Sequence, residues 1–253
     1  MIEPGLTEVL ISFILVGLAL GISRWWKIST AKDMSIGSVR AFIQLIAVGY
    51  ALEFIFNMKS PWLIYLALLI MITVGSHAAY GRVKSVPNSF FITFISIISG
   101  SFITLLLMLL LDIISFEARY IIPLGGMIIG NSMNSSALTI ERLSSDLRNN
   151  HLAIETSLSL GRNWRSASRE YQKKAATAGM ISILNNMKTI GIVILPGAMT
   201  GMILAGADPL KAVYLQIIVL YMILSAVTIT SVVSMELTIR KFFSKHQQLI
   251  SKN

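Results

Sequence analysis

Cysteine is absent from the 253 residues, which removes disulfides, thiolate metal sites and thiol redox chemistry. Charge is scarce. Asp, Glu, Lys and Arg make up 13% of the chain, about half the roughly 25% usual in a soluble domain. No G-x-x-x-x-G-K-[ST] phosphate cradle occurs, so the chain is not itself an ATPase of that type. No row of carboxylates lies inside an apolar stretch, as a proton relay needs. No loop clusters an acid, a base and a nucleophile, which argues against an enzyme. The first apolar run begins near Glu3 and Glu8 without a lysine or arginine before it. It lacks the basic start of a signal peptide and is expected to be a retained span.

What remains is apolar: 55% of the residues are hydrophobic. Seven runs, 6–23, 36–56, 62–80, 90–111, 120–140, 185–205 and 209–235, are long enough to cross a hydrocarbon core of about 30 Å. Backbone groups in lipid must be satisfied within the segment, so each run is expected to be helical. The fold expected is an all-α membrane protein of about seven transmembrane helices, a single transmembrane domain over 1–253. Net charge is +9, and its placement is uneven. Arg24, Lys27 and Lys32 follow the first run, Arg82 and Lys84 the third, and Arg240, Lys241, Lys245 and Lys252 the seventh. Arg142, Arg148, Arg162, Arg165, Arg169, Lys173 and Lys174 follow the fifth. The alternate side holds only Lys59, Arg119 and Lys211, while Arg40 and Lys188 sit near the basic ends of their runs. The positive-inside rule then puts the N-terminus outside and the C-terminus in the cytoplasm. Trp25 and Trp26 are expected at the inner interface, and Trp62, Tyr65 and Tyr120 at the outer one.

Two runs carry helix breakers: Pro123, Gly125 and Gly126 in the fifth, and Pro196 and Gly197 in the sixth. Paired interrupted helices point to a transporter's site. Met127, Asn131, Asn134 and Leu138 are spaced four, three and four apart and share a helix face, with Ser135 beside it. One reading is a polar strip along a permeation path, with amide oxygens and the thioether as cation ligands. The other is hydrogen-bonded packing between helices. The pattern alone fits both.

Residues 141–184 are expected to form a helical cytoplasmic segment. Leu143, Leu147, Ile154 and Leu158 share a face, and Gly161 can end that helix in the left-handed conformation. Trp164, Ala167, Tyr171, Ala175 and Ala178 make a second stripe beside Arg162, Arg165, Arg169 and Lys173. A basic amphipathic helix of this kind suits anionic lipid or a docked partner. Glu155 and Gly161 in Glu155-Thr-Ser-Leu-Ser-Leu-Gly161 match the E-A-A-x-x-x-G spacing with which permeases of ATP-binding cassette transporters engage their ATPases. Hydroxyl residues replace both alanines, and no I-x-L-P element follows at the importer distance.

With Ile122-Pro-Leu-Gly-Gly-Met-Ile-Ile-Gly-Asn-Ser-Met-Asn134, Glu141-Arg-Leu, Asn186-Met-Lys-Thr-Ile-Gly191 and the run Leu195–Pro209, the chain resembles the FetB-type permeases over nearly its full length. The resemblance implies the permease subunit of an ATP-binding cassette exporter of iron or a related metal. Plant relatives act in aluminium tolerance. It also implies a prokaryotic cell membrane location, a permease homodimer, and a separate ATPase subunit that binds ATP and Mg. No cofactor is expected on this chain. Glu155, Gly161 and Arg165 are then the coupling candidates, and Met127, Asn131 and Asn134 the metal-path candidates. A secondary transporter or channel, or a membrane scaffold that recruits a partner, would share the apolar runs.

Overall fold

The computed structural model describes residues 5–58, 60–244 and 246–250. Among them the regular structure is helical, with two isolated bridges, Ile190–Ile194 and Phe243–Leu249. The chain divides into two compact units, one ending at Lys59 and one starting at Ser60.

The first unit is a hairpin of α1 (Leu6–Trp25) and α2 (Ala31–Met58). Its turn places Lys27 in the left-handed region (φ 52), and Phe13 meets Phe42 edge-on with ring centroids 5.7 Å apart. Side chains such as Ile14, Leu15 and Leu45 are about 70% exposed. Helices so apolar and so bare of partners within their unit fit lipid contact.

The second unit holds α3 (Pro61–Arg82), α4 (Ser89–Leu110), α5 (Ala118–Asn149), α6 (His151–Ser159), α7 (Trp164–Ala167), α8 (Arg169–Thr189), α9 (Gly197–Leu204) and α10 (Pro209–Phe242). Proline opens α3 and α10, where its missing N–H costs nothing. The Asp208 carboxylate caps α10 by accepting from the Leu210 and Lys211 amides at 2.9 and 3.1 Å. Two clusters fix the helix directions. One joins Val83, Ile92, Ile140, Leu143, Leu147, Ala175 and Ile239. The other joins Leu105, Met108, Leu124, Ile128, Val219 and Met222. So α5 and α10 run the same way, and α4 and α8 run against them. The helices α3, α4, α5, α8 and α10 form an up-and-down bundle, with α6 and α7 at the end that carries the first cluster.

Small hydroxyl residues fill the middle of this bundle. Ser135 and Ser231 hydroxyls lie 2.6 Å apart, Ser234 donates to Ser136 at 2.8 Å, and Thr230 donates to the Ser96 carbonyl at 3.3 Å. These bonds let helix backbones approach closely and pair these particular oxygens without long side chains. They also lower the apolarity of the inner helices. Among the described residues, α1, α2, α3, α4 and α10 are long and apolar enough to cross a membrane; α5 and α8, rich in buried or polar small residues, fall short on composition.

Several expectations change here. Pro123 does not break the fifth run, because α5 continues through it to Asn149. Pro123 is the sixth residue of α5. Its ring presses on the carbonyl four residues back, that of Arg119 in the first turn, where little regular helix remains to disrupt. We expect Pro123→Ala to raise stability by about 1 kcal/mol or less and to leave function unchanged. A loss of transport at normal protein level would mark a hinge instead. Gly125 and Gly126 are packing positions, not breakers: a Cβ on Gly126 would stand 2.9 Å from Met71 Cε, and one on Gly125 would meet Leu68.

The run 185–205 is not one helix. It comprises the end of α8, a tight turn through Gly191 (φ +81) and α9. Pro196 is the N-cap of α9 and Gly197 its first residue, so the breakers there start a helix and do not bend one. The helix that returns through the bundle is α8, drawn from the segment expected to be cytoplasmic. Ala175, Gly179 and Ile183 are buried, and Gly179 abuts Ser135, Thr139 and Ser231. Small side chains let α8 fit between α5 and α10, a possibility that the charges at its start conceal. Lys188 therefore lies in the last turn of α8, 13 residues and roughly 20 Å along the helix from the Ala175 end, remote from the basic end.

Candidate functional site

The middle of α5 carries the path candidates. Spacing and exposure together define an open stripe of Pro123, Met127, Gly130, Asn131, Asn134, Leu138 and Glu141. Asn134 is exposed near the centre of a 32-residue helix. Asn131 is half-buried and donates from its amide to the Met127 carbonyl at 2.8 Å, leaving its own carbonyl oxygen free of any bond to another described residue. Met127 is half-buried against the Leu124–Ile128 cluster. Ser135, beside them in sequence, turns inward and bonds to Ser231. The helix thus uses its hydroxyls as packing and leaves its amides on the open side.

The sequence missed a second stripe. On α8, Lys174, Ala178, Ser182, Asn185 and Thr189 are spaced four, four, three and four apart, and all are exposed or half-exposed. The two helices touch at Gly179. Together they present amides and hydroxyls that a lipid face would not tolerate unpaired. The signal was the sequence Ala-Ala-Thr-Ala-Gly-Met-Ile-Ser-Ile from Ala175 to Ile183, a small-residue pattern typical of packed membrane helices. Among the described residues no group of three or more His, Asp or Glu side chains is placed to hold a metal ion. Between Met127 and Leu138 on α5, and between Ala178 and Thr189 on α8, a cation would meet neutral oxygens and one thioether.

The coupling candidates lie at the basic end. Arg82 reaches Glu141 at 3.3 Å, Arg148 donates to the Ser85 carbonyl at 3.1 Å, and Arg165 and Arg240 share Glu236 at 2.8 and 2.7 Å. Leu143, Leu147 and Ile154 are fully buried with Leu158 packed beside them, but the single helix expected for them is split at Asn150 between α5 and α6. Gly161 adopts φ +85 after α6, the left-handed C-terminal conformation expected of it. Glu155 and Gly161 line one open cleft of about 710 Å³ with Arg162 and residues 246–249. Arg165 is not in that cleft. It stacks over Trp164 at 5.1 Å and ties α7 to α10 through Glu236.

A family model described as an uncharacterised protein family, UPF0014, matches residues 6–243. The chain belongs to the UPF0014 family. UPF0014 membrane protein YjkA of Bacillus subtilis is 38% identical over 239 residues, 94% of this chain and 96% of its own. Protein ALUMINUM SENSITIVE 3 of Arabidopsis thaliana is 37% identical over 245 residues, covering 97% and 90% of the two chains. The probable iron export permease protein FetB of Escherichia coli is 35% identical over 240 residues, covering 95% and 93%. The match to that permease agrees with the resemblance read from the motifs. No solved structure matches. The UPF0014 match takes in both the hairpin and the bundle and ends at Phe243, the first residue after α10.

Proposed function

We propose that this chain is the transmembrane permease subunit of an ATP-binding cassette exporter that moves iron or a related metal cation out of the cytoplasm. The observation that carries this reading is the open polar stripe of α5, with Asn134 exposed at mid-helix in a family whose members include a probable iron export permease. Two copies would cover the stripes and enclose the path. In this reading α5 and α8 cross the membrane with the five more apolar helices, giving seven crossings with the N-terminus outside. The hairpin and the bundle form one permease domain in a prokaryotic cell membrane. The concentration of arginine and lysine at the α6–α7 end supports a cytoplasmic position for that end.

Energy enters from a separate ATPase chain that binds ATP and Mg. Glu155 and Gly161 offer it a contact at an exposed turn, while Arg165 holds α7 on α10. Glu155 is exposed and has no ion pair among the described residues, so reversing its charge should spare the fold. We expect Glu155→Lys to keep the permease at its normal level and unfolding temperature, and to lower metal-stimulated ATP turnover at least tenfold in vesicles holding both subunits. Unchanged turnover would remove Glu155 from the coupling contact. Metal flux in vesicles without any ATPase would replace the whole reading with a secondary transporter or channel.

A further inference from the structure

The chain beyond α10 does not simply trail away. Phe243 is extended and bridges to Leu249, and the Ile250 amide donates to the Phe242 carbonyl at 2.8 Å. The Ser244 amide donates to the Gln248 carbonyl at 2.9 Å, while the Ser244 hydroxyl oxygen accepts from the Gln248 amide at 3.1 Å. Gln247 is left-handed (φ 62), a conformation that a non-glycine residue holds only where its surroundings require it. Residues 243–244 and 246–250 thus form a hook that folds back on α10.

The hook is fastened to the turn between α6 and α7. The Trp164 ring stacks on Phe243 with centroids 5.5 Å apart and planes 29° from parallel. The Trp164 amide donates to Gln247 Oε1 at 3.4 Å. Leu249 packs on the cluster that holds Ile154 and Leu158. The cleft has two walls. One carries Glu155, Gly161 and Arg162, and the other is the hook from His246 to Leu249. Its floor carries Leu158 and Leu249. Arg162 has no ion pair among the described residues, and Glu155 is the one carboxylate among the described residues that line the cleft.

We propose that the hook is half of the ATPase dock. It holds the Gly161–Trp164 turn in place and supplies the second wall of a cleft that seats a protein element carrying an apolar side chain flanked by carboxylates. The apolar floor takes the side chain, and Arg162 takes the charge. A protein partner is favoured over anionic lipid because the lining forms a cleft and not a flat basic face, and because it is continuous with the Glu155 and Gly161 turn proposed above as the ATPase contact. This inference rests on the ATPase reading above and adds to it residues that lie outside the Glu155–Gly161 segment.

The test co-expresses the full chain with each candidate cassette ATPase of the same organism and measures ATPase retained on the purified permease in neutral detergent. Leu249→Asp and a chain ended after Ser244 are expected to lower retention at least tenfold, and Gln247→Ala about threefold. Gln247→Ala removes one long hydrogen bond and spares the core, so it reads the dock even if the other two changes disturb folding. Retention at the unaltered level in all three overturns the hook's role and leaves the ATPase reading standing. No retention by the unaltered chain overturns both. A loss that appears only when phosphatidylglycerol is added assigns the hook to lipid and overturns the protein dock.

Discussion

Replacing Gly179 with valine is expected to cost the protein most of its assembled bundle. A Cβ at this position would lie 2.6 Å from the Ser231 hydroxyl and 3.0 Å from the Ser135 carbonyl oxygen, and would also strike the Thr139 hydroxyl. The carbonyl belongs to the α5 backbone and cannot rotate away. The Ser231 hydroxyl can move only by breaking its 2.6 Å bond to Ser135. Over-packing of a core typically costs about 1–3 kcal/mol, and losing the buried serine pair adds about 1 kcal/mol. Valine's second branch pushes the sum upward. Set against a total stability of about 5–15 kcal/mol, the change should lower membrane-inserted protein several-fold and the unfolding temperature by several degrees.

The same substitution separates two placements of this segment. If residues 169–184 formed a helix lying on the membrane surface, Gly179 would be free, and valine would alter little beyond helix propensity. In the bundle it is a contact between three helices. Gly130→Val is the internal control, since a Cβ at Gly130 meets nothing within 4 Å, and it should lower the unfolding temperature far less than Gly179→Val. Equal behaviour of the two variants would return α8 to the surface and remove Ser182 and Asn185 from the path.

How much the sequence disclosed follows from where its signals were strong. α3, α4 and α10 were legible because uninterrupted apolar runs leave few alternatives in lipid. The buried face of Leu143, Leu147 and Ile154, and the left-handed Gly161, followed from spacing and from a glycine where a helix had to stop. α8 was misplaced because Arg169, Lys173 and Lys174 crowd its first turns, and its buried side is built from alanine and glycine, which carry no periodic hydrophobic signal. Pro123 was over-read: proline disrupts a helix in proportion to the regular turns before it, and here there is about one. The hook at 243–244 and 246–250 was illegible because its own backbone bonds and its contacts with Trp164 leave no periodic signal in the sequence. At the path, the sequence put Met127, Asn131 and Asn134 on one face. Only the packing shows that Ser135 belongs to the interior and that α8 brings a second stripe.

Asn134→Leu is expected to lower transport at least tenfold while protein level and unfolding temperature stay near those of the unaltered chain. Asn134 is exposed and makes no hydrogen bond to another described residue, so leucine removes no bond from the fold and adds no clash. Asn131→Leu differs, because it removes the bond to the Met127 carbonyl and should cost about 1 kcal/mol besides transport. If the stripe serves only to pack against a second copy, the two changes should lower assembly, protein level and transport in parallel. The donor chemistry adds a constraint. With amide and hydroxyl oxygens, and no cluster of three or more His, Asp or Glu among the described residues, the stripe can touch a passing cation without stripping its own ligands. Weak successive contacts favour passage over retention. Isothermal titration of the unaltered permease with ferrous ion should therefore show no tight site even where flux is fast. A tight stoichiometric site that survives Asn134→Leu would place the metal contact elsewhere in the chain.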